Sequence, residues 1–100
     1  MRLSDDQARA ILSCVRQQFG ADAQVKLFGS RLDDSSRGGD VDLLVETAAA
    51  PTLHQRALAT MALEQALNLP VDIVALQRGH PGGAFARIAR NQAQPIEHLR

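Results

Sequence analysis

Asp40 and Asp42, with one residue between them, stand at the head of a short apolar run, Leu43, Leu44 and Val45, that reads as a β-strand. Side chains two apart on a strand share a face, so the two carboxylates point the same way. Two such charges side by side repel, and one takes up a proton unless a cation neutralises the pair. A hard divalent ion such as Mg2+ is the natural neutraliser, because it prefers carboxylate oxygens and keeps positions for water and phosphate. The complementary half lies upstream. Val25 and Leu27 alternate with polar neighbours and lead into Gly29-Ser30-Arg31. Gly29 lets backbone N–H groups approach an anion closely, Ser30 adds a hydroxyl, and Arg31 adds a fixed positive charge. A phosphate cradle beside metal-binding carboxylates is the equipment for phosphoryl or nucleotidyl transfer.

The elements that must position these groups are legible around them. The first strand is expected over residues 24–28 and the second over 40–46, with a polar, glycine-containing loop between. Asp33-Asp34 in that loop reads as solvated charge or turn capping, and Arg37 as an exposed loop arginine. Ahead of the strands, Ser4-Asp5-Asp6-Gln7 is a capping-box sequence. Ala8, Ile11, Leu12, Val15 and Phe19 follow at helical spacing, and Gly20 closes the helix. Cys14 falls beside this stripe and reads as a small buried thiol, since no activating His or Lys adjoins it in sequence.

After the second strand, Pro51 or Thr52 opens a second helix to about residue 67. Leu53, Ala57 and Met61, with Leu58, Ala62 and Ala66, trace adjoining stripes, so a broad apolar face that touches more than a sheet is expected. His54, in the first turn, reads as a surface residue because it has no second ligand nearby. Asn68-Leu69-Pro70 breaks the helix, and residues 71–76 form a third strand. Asp72 is out of place in that apolar run unless it sits at an exposed strand end or meets a partner. A third helix is expected over 84–91, with Phe85, Ile88 and Ala89 inward and Arg87 and Arg90 outward. Ile96 and Leu99 suit a last short strand or packing on the sheet. The expected architecture is α/β (α+β), a small mixed sheet covered by helices in the order α-β-β-α-β-α, with residues 1–100 as one domain and no internal repeat.

Composition limits the rest. The 45% hydrophobic share supports an ordered core, and with only Phe19, Phe28 and Phe85 aromatic, that core must be aliphatic. Eleven basic residues cancel eleven acidic ones, so no direct nucleic-acid binding is expected. No apolar run approaches membrane-spanning length, the N-terminus lacks a secretory pattern, and the single cysteine cannot form an internal disulfide. A cytoplasmic domain with no membrane contact is expected.

Gly29-Ser30, a loop, then Asp40-x-Asp42 resembles the signature of the DNA polymerase beta-like nucleotidyltransferases. More narrowly it resembles the minimal nucleotidyltransferase (MNT) domains, paired with HEPN-domain partners as toxin–antitoxin systems. Nine residues separate Ser30 from Asp40, where the usual form has ten, and Gly38-Gly39 stands where many members carry a Ser. The resemblance implies that Gly29 and Ser30, with Arg31 as auxiliary charge, hold the phosphates of ATP. It implies that Asp40 and Asp42 bind Mg2+, and that Asp72 supplies the third carboxylate of the site and is a candidate acceptor of the hydroxyl proton. The blander account of Asp72 is an aspartate near the exposed start of a strand.

The function so implied is Mg2+-dependent transfer of AMP from ATP to a hydroxyl, with a tyrosine of a HEPN-type toxin as acceptor. A chain this short has no room for a domain that holds a separate acceptor, and exposed apolar residues on the second or third helix suit a partner interface. The rival from another class is a binding module that masks the partner's active site with little or no catalysis. A metal-dependent phosphohydrolase is weaker, because no feature selects water as nucleophile. A purely structural domain must treat Gly29, Ser30, Asp40, Asp42 and Asp72 as coincidence.

Overall fold

The computed structural model describes residues 4–28, 41–79 and 94–95. Helix α1 (Asp5–Phe19) begins at the expected place. The Ser4 hydroxyl accepts from the Gln7 amide at 3.1 Å and the Gln7 side chain accepts from the Ser4 amide at 3.0 Å, which closes the capping box. Asp5 and Asp6 in the first turn and Arg16 in the last complement the helix dipole. Gly20 ends the helix at φ 112°, where a side chain would be strained.

Strands β1 (Gln24–Phe28) and β2 (Val41–Thr47) pair antiparallel, from Gln24 opposite Glu46 to Phe28 opposite Asp42. Helix α2 (Leu53–Leu67) carries the chain to β3 (Val71–Gln77), which pairs parallel with β2. A two-residue strand β4 (Gln94–Pro95) pairs antiparallel with β1. The mixed sheet therefore has the order β3-β2-β1-β4. The expected α-β-β-α-β order and mixed sheet are observed. The short closing strand occurs at Gln94–Pro95, just ahead of Ile96 and Leu99, which lie outside the described residues. So does the expected helix over 84–91.

The aliphatic core lies between one sheet face and the two helices. Ile11, Val15 and Phe19 of α1 meet Val25, Leu27, Val41, Leu43, Val45, Val71 and Ile73 of the sheet and Ala59 and Leu63 of α2. This alternation puts the remaining strand residues on the opposite, outer face: Lys26 on β1, Asp42, Leu44 and Glu46 on β2, Asp72, Val74 and Leu76 on β3. Leu44 is fully buried there with Val74 and Leu76 against it. At the far end of the sheet, Thr47 is buried and its hydroxyl donates to the carbonyls of Ala49 and Leu76, fastening β2 to β3.

Helix α2 corrects one expectation. The stripes through Leu53, Ala57, Met61 and Leu58, Ala62, Ala66 face outward, with Leu53 75% and Met61 64% exposed. The core side is Ala59 and Leu63, with Leu67 packed beside them. The helix is apolar on several sides, so residue spacing alone does not select the buried one. Its N-cap is Thr52, whose hydroxyl accepts from the Gln55 amide at 3.0 Å in a second capping box.

Candidate active site

Of the sequence-selected residues, Asp42 and Asp72 are described, whereas Gly29, Ser30, Arg31 and Asp40 lie outside the described residues. Asp42 is the second residue of β2 and half-buried. Asp72 is the second residue of β3 and exposed. The parallel register sets Asp42 directly opposite Asp72. Neighbouring strands lie about 4.8 Å apart and register partners point to the same face, so both carboxylates rise from the outer face at one end of the sheet. An apolar strand that opens with a carboxylate at its rim keeps that charge near water, while Val41, Leu43, Val71 and Ile73 on the other face bury in the core.

Two further contacts fix this end of the sheet. The Val41 amide donates to the Pro70 carbonyl at 2.9 Å, which starts the parallel ladder one residue before the aspartates. The Val71 amide donates to Oε2 of Glu64 at 3.0 Å. Further along the same outer face, Lys26, opposite Leu44, approaches Glu46 diagonally at 3.8 Å.

The donor set suits a hard cation. Two carboxylates at opposed positions on neighbouring strands offer the oxygen ligands that such an ion prefers. Among the described residues no group of three His, Cys, Asp or Glu side chains is gathered closely enough to hold a metal. The third carboxylate of the expected set, Asp40, is the residue immediately before β2 and lies outside the described residues.

Of the residues read as bystanders in the sequence, His54 and Cys14 are described, whereas Asp33, Asp34, Arg37, Arg87 and Arg90 lie outside the described residues. His54 is exposed in the first turn of α2. Cys14 is half-buried between the helices, with its thiol 3.7 Å from the Ala59 carbonyl. Burial pushes that thiol's pKa up, which keeps it protonated and poorly nucleophilic. Glu64 is the residue the sequence reading missed at this end of the molecule. Its signal is weak, since a Glu seven residues before a strand has no recognisable spacing.

The nucleotidyltransferase-domain family model matches residues 8–94, and the chain belongs to that family. A solved structure of a candidate minimal nucleotidyltransferase is 31% identical, with 89% of this chain and 88% of that one covered and a TM-score of 0.67. A chain from the complex of tri-AMPylated Shewanella oneidensis HEPN toxin with MNT antitoxin is 19% identical and shares the fold. That match covers 90% of this chain and 68% of the other at a TM-score of 0.64. No curated protein matches the chain.

Proposed function

We propose that this protein is a Mg2+-dependent nucleotidyltransferase that moves AMP from ATP to a hydroxyl of a protein partner, a tyrosine of a HEPN-type toxin, and so acts as its antitoxin. The observation that carries this reading is the register of Asp42 opposite Asp72, which gathers the carboxylates of two strands on one face at one end of the sheet. Membership of the nucleotidyltransferase-domain family supports the reaction class. The shared fold with a chain of the HEPN–MNT complex supports the kind of partner.

In this reading Asp40, Asp42 and Asp72 hold Mg2+, while Gly29, Ser30 and Arg31 bind the triphosphate. The bound metal would supply charge neutralisation at the phosphates and a lowered pKa for the attacking hydroxyl. Asp72, exposed near the start of the edge strand β3, takes the hydroxyl proton in this reading. The acceptor oxygen forms a bond to the α-phosphorus as the bond to the leaving pyrophosphate breaks. Leu53, Leu58 and Met61 on the outward side of α2 offer the partner an apolar footing.

The same apolar footing favours a second reading, in which the domain neutralises its partner by covering it. Growth rescue separates the two. In cells expressing the HEPN-type toxin, the Asp40→Asn/Asp42→Asn variant is expected to lose neutralisation while still co-purifying with the toxin. Full neutralisation by the variant would establish masking instead.

A further inference from the structure

We infer that Glu64 is a positioning residue for Asp72, holding the start of β3 in the register that sets the two aspartates opposite each other. The inference rests on the reading of Asp42 and Asp72 as metal ligands. In a parallel ladder, successive amides of an edge strand point alternately toward and away from their neighbour. Val41 donates to Pro70, so the Pro70 carbonyl faces β2 and the Val71 amide faces the other edge of β3, where no described strand pairs. Val71 itself is only 3% exposed. An amide there with no acceptor would carry the cost of an unsatisfied buried donor. Glu64 is that acceptor, at 3.0 Å.

The same residue also closes its own helix. Its backbone carbonyl accepts from the Asn68 amide at 2.9 Å, and Asn68 takes the left-handed conformation at φ 56°, ψ 39° that turns the chain toward the sheet. Glu64 therefore grips the connection between α2 and β3 at both ends, the carbonyl at the turn and the carboxylate at the strand. The next residue after the gripped amide is Asp72. A change in the Val71 amide's partner is transmitted through one peptide to the Asp72 Cα, and thence to its separation from Asp42.

The test measures Mn2+ binding to the full chain by electron paramagnetic resonance, together with exchange protection of the Val71 amide. Four variants are compared: E64A, E64Q, D72N and the E64A/D72N pair. E64A is expected to raise the Mn2+ Kd by roughly three- to tenfold and to unprotect the Val71 amide. E64Q keeps an oxygen acceptor and is expected to shift the Kd by less than about twofold. The double variant is expected to bind no more weakly than D72N alone, because Glu64 acts through Asp72. An E64Q defect as large as that of E64A would overturn the inference, since the charge and not the hydrogen bond would then matter. An unchanged Kd in E64A with a raised Kd in D72N would overturn it while leaving the metal-site reading intact. An unchanged Kd in D72N would remove the metal-site reading and the inference with it.

Discussion

At the scale of single residues, the account turns on two carboxylates that the fold brings into register from positions thirty residues apart. In the proposed metal site, Asp42→Asn removes a ligand charge at nearly constant volume, and is expected to lower AMP transfer by at least roughly a hundredfold. Initial-rate assays would check this. Of the candidate carboxylates, the sequence placed Asp42 and Asp72 near the starts of two strands, as observed, and singled out Asp72 because a charge in an apolar strand demands an explanation. Asp40 lies outside the described residues. Glu64 was not readable, since its hydrogen bond to the Val71 amide depends on the turn at Asn68 and on which edge of β3 pairs with β2. Cys14 gives a separate residue-scale prediction. Its folded pKa is raised by burial, so the protonated thiol's contribution to stability is complete below the unfolded thiol's pKa and is lost as pH rises through the folded value. Urea midpoints measured from pH 7 to pH 10 are expected to fall more steeply in the native protein than in Cys14→Ala above about pH 8.5.

At the scale of elements, local signals fixed where helices begin and left open which way one of them faces. The Ser4 capping box holds reciprocal hydrogen bonds in the structure, and Ser4→Ala is expected to cost about 1 kcal/mol in chemical denaturation. For α2 the spacing of leucines and alanines admits several apolar faces, and the choice among them depends on α1 and the sheet. Leu63 is fully buried in the shared core, whereas Met61 two residues earlier is 64% exposed. Leu63→Ala is accordingly expected to lower stability by about 2–5 kcal/mol, and Met61→Ser by no more than about 0.5 kcal/mol. Met61→Ser is expected instead to weaken the complex with the partner, as titration calorimetry would register. Equal destabilisation by the two substitutions would contradict the packing described for α2.

At the scale of the whole molecule, one face of the mixed sheet is committed to the helices and the opposite face carries the two aspartates of the proposed site. The order β3-β2-β1-β4 puts β2 between an antiparallel and a parallel neighbour, so the Asp42 end of β2 adjoins both Phe28 at the end of β1 and Asp72 at the start of β3. The element order was legible in the sequence, but the strand order and register were not, because pairing is decided by contacts remote in the chain. That register is what sets Asp42 and Asp72, thirty residues apart in sequence, opposite each other. The measurement that tests the central claim most directly is the intact mass of a HEPN-type partner after incubation with this protein, ATP and Mg2+. The account predicts an added AMP, or several, with the native protein and none with the Asp40→Asn/Asp42→Asn variant. An unmodified partner that nonetheless co-elutes with the native protein as an inactive complex would contradict nucleotidyl transfer and make this domain a mask.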